Sequence, residues 1–282
     1  MRGPYPVHVT THLGRAAVFT DRSGEAHLLD EGRLARTVAE IAKAGSGVPH
    51  HGVAMPFGER TVISLAAPGE QLPDRLGLAG PDGRLTDEVG GCPQLHGEAA
   101  VARSRVLFAC GDGYLLVTVG RRGLEGARIG LPGGLPAGTR TGTLRGQPGT
   151  GWVIGNLGSV GLVRVDVREG RATALRMSSR PVDFAAHPPS RSALVVAADG
   201  QVQQIDVASG QVRAGVPAVA PVSGSPGVPQ PRIVAGGGQR AWVSDPGAGR
   251  VVELATNPLR VTRAFAVGGA PSLLAVAGGE AA

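Results

Sequence analysis

Short apolar runs alternate with turn residues along this chain, and the runs come in pairs. Ala17-Val18-Phe19-Thr20-Asp21 is followed by a turn at Ser23-Gly24 and then by Ala26-His27-Leu28-Leu29-Asp30. Val106-Leu107-Phe108-Ala109-Cys110 leads through Gly111-Asp112-Gly113 into Tyr114-Leu115-Leu116-Val117, and Trp152-Val153-Ile154-Gly155-Asn156 precedes Gly161-Leu162-Val163-Arg164-Val165-Asp166. Leu194-Val195-Val196-Ala197 turns at Asp199-Gly200 into Val202-Gln203-Gln204-Ile205-Asp206, and Ala241-Trp242-Val243-Ser244-Asp245 turns through Pro246-Gly247 into Val251-Val252-Glu253-Leu254. Each pair reads as two β-strands joined by a tight turn, because Asp-Gly and its relatives supply the positive φ that hairpin turns need. A sixth unit starts at Thr61-Val62-Ile63-Ser64, is interrupted by a longer loop holding Pro68 and Pro73, and resumes near Arg75-Leu76-Gly77-Leu78.

The units recur at about 43 to 48 residues, the size of a four-stranded propeller blade. A β-sandwich has strands at short spacing without this longer period. The pattern therefore predicts an all-β propeller of about six four-stranded blades, forming a single domain over residues 1–282. Leu34–Ala42 carries helix-like spacing, but the period predicts an outer strand there and takes precedence. Leu273-Leu274-Ala275-Val276 reads as a closing strand. Such a strand wants N-terminal partners and none precedes Tyr5, so this reading expects one or two further blades upstream, in a parent fold of seven or eight.

Composition changes this picture little. Hydrophobic residues are 42% but aromatics only 3%, so the core is built from Val, Leu, Ile and Ala. The 46 glycines and 22 prolines fall between the apolar runs, as turn residues do. The net charge of +6 raises the question of nucleic acid. The arginines are scattered, however, and stacking aromatics are scarce, which argues against it. No run approaches the ~18 apolar residues of a membrane span, so no membrane insertion is expected. Met1-Arg2-Gly3-Pro4-Tyr5-Pro6 lacks the apolar core of a signal peptide. No nucleophile elbow, Walker loop or Rossmann fingerprint occurs, which disfavours an enzyme.

The period also serves as a ruler for chemistry. His51 and His96 stand 45 residues apart, and each opens a His-Gly-x-Ala segment ten residues before an apolar strand. Stepping back 43 residues from His51 reaches His8, and stepping 87 forward from His96 reaches Asp183. If these positions share one channel mouth, His8, His51, His96 and Asp183 form a complete ligand set for a tetrahedral zinc ion. A ring of structural hydrogen bonds is the competing reading, and catalysis the third. His12, His50 and Glu98 are candidates to support or relay the metal, whereas His27 and His187 read as surface positions. Cys92 and Cys110, 18 residues apart, match no zinc box; they are either a disulfide, which implies an oxidising compartment, or two reduced buried thiols.

Val48-Pro49-His50-His51-Gly52-Val53-Ala54 and Cys92-Pro93-Gln94-Leu95-His96-Gly97-Glu98-Ala99, with Phe108-Ala109-Cys110, resemble the AztD-type zinc metallochaperones. Asp199–Val207 and Pro231-Arg232-Ile233 are similar too, so the resemblance spans essentially the whole chain. It implies a periplasmic or otherwise extracytoplasmic propeller, a monomer, that binds Zn²⁺ and hands it to the substrate-binding protein of a zinc ABC transporter. It also implies a Cys92–Cys110 disulfide and metal ligation by His8, His51 and His96, while Asp183 rests on the repeat ruler. The chain departs from the family in lacking a signal peptide and a His/Asp-rich N-terminal segment. It reads as a truncated gene product or a degenerate paralogue. It also departs at Ser223-Gly224-Ser225-Pro226-Gly227-Val228, where the family has an aromatic and His-containing loop. The alternatives are a protein-interaction propeller without metal and a relic of a propeller hydrolase or dehydrogenase.

Overall fold

A computed structural model describes residues 5–33, 40–45, 47–146, 149–158, 161–187, 191–225, 227–236 and 238–275. The strands form six four-stranded antiparallel sheets, each a meander in chain order. Blade 1 is β1 (Pro6–His12), β2 (Arg15–Thr20), β3 (Glu25–Asp30) and β4 (Glu40–Gly45). Blade 2 is β5 (Ala54–Phe57), β6 (Arg60–Leu65), β7 (Arg75–Ala79) and β8 (Leu85–Val89), and blade 3 is β9 (Glu98–Ala102), β10 (Arg105–Cys110), β11 (Gly113–Val119) and β12 (Leu124–Gly130). Blade 4 is β13 (Leu144–Gly146), β14 (Trp152–Leu157), β15 (Gly161–Asp166) and β16 (Arg171–Arg176). Blade 5 is β17 (Pro181–His187), β18 (Ser192–Ala197), β19 (Gln201–Asp206) and β20 (Val212–Pro217), and blade 6 is β21 (Ile233–Ala235), β22 (Arg240–Asp245), β23 (Arg250–Thr256) and β24 (Leu259–Ala266).

This is the β-propeller that the hairpin period predicts. Residues 34–39 of the helix-like stretch lie outside the described residues, and its C-terminal end falls in the outer strand β4. The expected closing strand is not found: residues 271–275 lie in no strand and Leu273 is 84% exposed, while Val276 lies outside the described residues. An extended segment becomes a strand only when a neighbouring backbone pairs with it. Among the described residues, no helix is long and apolar enough to cross a membrane.

The chain divides into two compact units. The first holds residues 1–158 and 165–173, the second residues 159–164 and 174–282, so the strands of blade 4 are shared out between them. Within the first unit, β1 touches β5 and β9 touches β13; within the second, β17 touches β21. Second strands such as β6 and β10 are buried along almost their whole length, whereas outer strands such as β8 and β12 are largely exposed. A sheet covered on both faces needs apolar residues at consecutive positions, which is why the second strands read as unbroken apolar runs. Val53, Met55, Val62, Leu76, Val106 and Phe108 belong to one such layer in the first unit, and Leu194, Val196, Ile233, Val243 and Leu254 to another in the second.

The fifth residue of three second strands recurs as a structural position. In β6, β14 and β22 it is Ser64, Asn156 and Ser244, and in each case its N–H bonds the carbonyl of the segment leading into the first strand: Val53, Thr143 and Arg232. The side chain then accepts the N–H of that same residue: Val53 to Ser64 Oγ at 2.9 Å, Thr143 to Asn156 Oδ1 at 2.7 Å and Arg232 to Ser244 Oγ at 2.9 Å.

Candidate metal centre

His51 and His96 sit just before β5 and β9, and His8 lies within β1 after a register irregularity that follows Pro6. Their three rings converge in the first unit, with centroids 5.2, 5.5 and 5.0 Å apart. Among the described residues they are the group able to hold a metal ion, each offering one ligand nitrogen within 4.8 Å of the others.

The glycine of each His-Gly-x-Ala segment has a steric reason. A Cβ on Gly52 would stand 2.4 Å from Ser64 Oγ and 2.5 Å from His50 Nε2. Gly97 has a φ of +85°, and its Cβ would stand 2.7 Å from the Gly142 carbonyl oxygen. Larger residues would push the two histidine segments off the neighbours that hold them.

Hydrogen bonding fixes the tautomers. His96 Nδ1 lies 2.6 Å from the Gly142 carbonyl, which can only accept, so Nδ1 carries the proton. His51 Nδ1 lies 2.8 Å from Asp21 Oδ2, a carboxylate oxygen that accepts, so this Nδ1 likewise carries the proton and donates it. In the neutral rings both Nε2 atoms therefore present lone pairs, and they face each other at 3.1 Å. Two lone pairs at that distance need either a proton on one ring, which makes the contact a hydrogen bond, or a metal ion between them. A tetrahedral zinc ion with Zn–N bonds of about 2.0–2.1 Å separates two ligand nitrogens by about 3.3 Å, so the spacing fits. Carboxylates bound to the far nitrogens of ligating histidines are a standard feature of metal sites.

His8 Nδ1 lies 3.4 Å from Glu98 Oε1. Burial works against protonation of His8, but the hydrogen bond and charge of Glu98, with the charge of Asp21, outweigh it and hold its pKa above the ordinary value. His96 is shifted the other way, by burial first, with the positive charges of His8, His51 and Arg140 adding to it against the Gly142 bond. Glu98 Oε2 and Asp21 Oδ1 are buried without a hydrogen-bond partner among the described residues, so two carboxylates stand ready to offset the charge of a divalent ion.

The other candidates have hydrogen-bond partners of their own. Asp183 belongs to the second unit and is 5% exposed; its Oδ2 accepts the Ile233 N–H at 2.9 Å, and Arg232 Nη1 lies 3.6 Å from Oδ1. It is not a member of the three-histidine group. His12 is four residues along β1 from His8, about 13 Å at strand rise, with Nε2 on the Arg103 carbonyl at 3.2 Å and its ring against Phe57. It does not support the three rings. His50 is buried with Nδ1 on the Val48 carbonyl and Nε2 on Ser64 Oγ. His27 and His187 are not on the surface: they are 6% and 1% exposed, because each lies within a strand whose neighbours are buried. His27 bonds Glu40 and His187 bonds Thr256. Cys92 and Cys110 form a disulfide. It ties the start of the His96 segment to the end of β10.

The contributors that the sequence reading missed are Asp21, Gly142, Ser64 and Asn156. Ser64 and Asn156 carried a signal: each is a polar residue near the end of an apolar second strand. Gly142 acts through its backbone carbonyl and carried none.

No family model matches the chain. The zinc chaperone AztD of Citrobacter koseri is 30% identical over 286 aligned residues, covering 99% of this chain and 67% of that one. The structure of apo AztD from the same organism superposes with a TM-score of 0.86 at 28% identity, over 96% of this chain and 75% of that chain. BamB from Moraxella catarrhalis, at 16% identity and a TM-score of 0.63 over 96% of this chain and 79% of its own, shares the propeller fold. With the sequence match running nearly end to end over a propeller that carries the three-histidine cluster, the chain belongs to the AztD zinc chaperone family.

Proposed function

We propose that this chain is an extracytoplasmic zinc chaperone in which His8, His51 and His96 take up one Zn²⁺ and release it to the substrate-binding protein of a zinc ABC transporter. The observation that carries this reading is the pair of opposed Nε2 lone pairs on His51 and His96 at 3.1 Å, with His8 beside them. In the proposed ligand set Glu98 and Asp21 hold the far nitrogens of His8 and His51, and Asp183 takes no part.

Three histidines leave the fourth position of a tetrahedral ion to water or to an incoming group. That arrangement suits a carrier, because a partner's ligand can enter before the ion leaves. The partly exposed rings allow such an approach. The Cys92–Cys110 disulfide supports an oxidising compartment. Family membership favours a metal carrier over an enzyme, and a monomer suffices for the site, since the three ligands come from one unit of one chain.

Titration of the metal-free protein with zinc tests the binding step: saturation near one ion per chain at neutral pH is expected, and no measurable uptake overturns the proposal. Mixing the zinc-loaded protein with a zinc-free transporter binding protein tests delivery. Transfer faster than zinc released to a chelator supports direct hand-over, and transfer no faster than that release refutes it.

A further inference from the structure

We infer that Ser64 and Asn156, far from the ligands in sequence, are positioning residues that set the zinc affinity of His51 and His96. The inference rests on the three-histidine reading above.

The chain of contacts at His51 begins with His50. The Val48 carbonyl lies 2.8 Å from His50 Nδ1 and can only accept, so Nδ1 carries the proton and Nε2 the lone pair. Nε2 therefore accepts the Ser64 hydroxyl proton at 3.0 Å, and Ser64 Oγ is left to accept the Val53 N–H at 2.9 Å. The His50 N–H bonds the Asp21 carbonyl at 3.0 Å, while the Asp21 carboxylate holds His51 Nδ1. His51 is thus clamped on its N-terminal side through His50 and on its C-terminal side through Val53, and Ser64 joins the two sides. Gly52 fills the space left between them.

Asn156 does the corresponding work for His96. Its Oδ1 accepts the N–H groups of Gly142 at 2.9 Å and Thr143 at 2.7 Å. That pins the peptide segment whose Gly142 carbonyl orients the His96 ring. Rotating this segment would take the carbonyl off Nδ1 and turn Nε2 away from His51.

Ser244 supplies an internal control. It occupies the same fifth position in its second strand and makes the same exchange with Arg232, but none of its hydrogen bonds among the described residues reaches a histidine of the cluster. Loss of its hydroxyl removes the shared structural bond without touching the metal ligands.

The test compares Ser64→Ala, Asn156→Ala and Ser244→Ala for zinc affinity, by competition with a chromophoric chelator, and for melting of the metal-free protein. Supports one step removed from a metal are worth roughly 10–100-fold in affinity. Ser64→Ala and Asn156→Ala are expected to weaken zinc binding by that order and to alter the visible d–d bands of the Co²⁺ form. Ser64→Thr and Asn156→Asp, which keep the accepting oxygen, are expected to retain most of the affinity. Ser244→Ala is expected to lower the melting temperature and leave affinity unchanged. Zinc affinities of Ser64→Ala and Asn156→Ala within threefold of the parent protein overturn the inference, as does an equal loss in Ser244→Ala. Failure of the parent protein itself to bind zinc would instead refute the three-histidine reading.

Discussion

β1 and β17 begin with the same pattern, Pro6-Val7-His8 and Pro181-Val182-Asp183, and end with a histidine four residues later, His12 and His187. Both show a register irregularity just after the proline, and both then pair the third residue with the fifth residue of the following strand: His8 with Phe19 and Asp183 with Val196. The backbones are equivalent, yet the side chains serve different ends. His8 meets Glu98 and the rings of His51 and His96, and the three imidazoles can share a cation. Asp183 is buried and accepts the N–H of Ile233, stapling blade 5 to blade 6. A repeat position fixes where a side chain starts. The neighbouring segments decide whether it becomes a ligand or part of the scaffold.

The strongest way to break this comparison is to remove ligands on one side and the carboxylate on the other. His51→Ala combined with His96→Ala is expected to take zinc stoichiometry from about one to none, while Asp183→Asn keeps it, as measured by equilibrium dialysis with elemental analysis. Loss of zinc in Asp183→Asn would return that residue to the ligand set. Stability should show the reverse order. Asp183→Ala leaves the buried Ile233 N–H without its acceptor and is expected to cost about 1–3 kcal/mol in urea unfolding. His8→Ala, at a half-buried position with one long hydrogen bond, is expected to cost about 0.5 kcal/mol or less.

The smallest effect concerns the histidines that close the two strands. Burial lowers the pKa of His187 below its ordinary value. As pH falls through about 6.5 the unfolded chain takes up a proton that the folded chain does not, so stability declines toward acid, by at most about 1.4 kcal/mol per pH unit for this group. Below the folded-state pKa the decline stops. His187→Gln in the metal-free protein is expected to flatten the dependence of melting temperature on pH between about 7.5 and 5 by that share; an unchanged slope would show that His187 titrates freely.

The propeller was legible because its second strands are buried on both faces and so stand out as unbroken apolar runs, each closed by a turn. His51 and His96 were legible because a 45-residue step preserves both their spacing and the glycine that follows each. The same step from His51 lands on Pro6, and His8 lies two residues further, past the register irregularity of β1, which counting alone does not reveal. Asp183 shows the limit of counting. The ruler aligned it with His96, but the pairing aligns it with His8, in a unit where its carboxylate is engaged by another blade. Asp21 and Gly142 were not legible because one lies in a turn of a different blade and the other contributes a carbonyl that every residue possesses.

The fifth-position exchange has a consequence for how such a site moves through evolution. Two residues before Val53 stands His51, and two residues before Arg232 stands Gln230. Ser64 and Ser244 lock the two backbones alike, and Gln230 already carries a buried amide oxygen with no hydrogen-bond partner among the described residues. A blade of this kind is a socket made before its plug: a single codon change at Gln230 would present an imidazole from a backbone that needs no rebuilding. Gain, loss and relocation of metal ligands in a propeller can then proceed by point mutation, with the fold as a fixed set of mounting points.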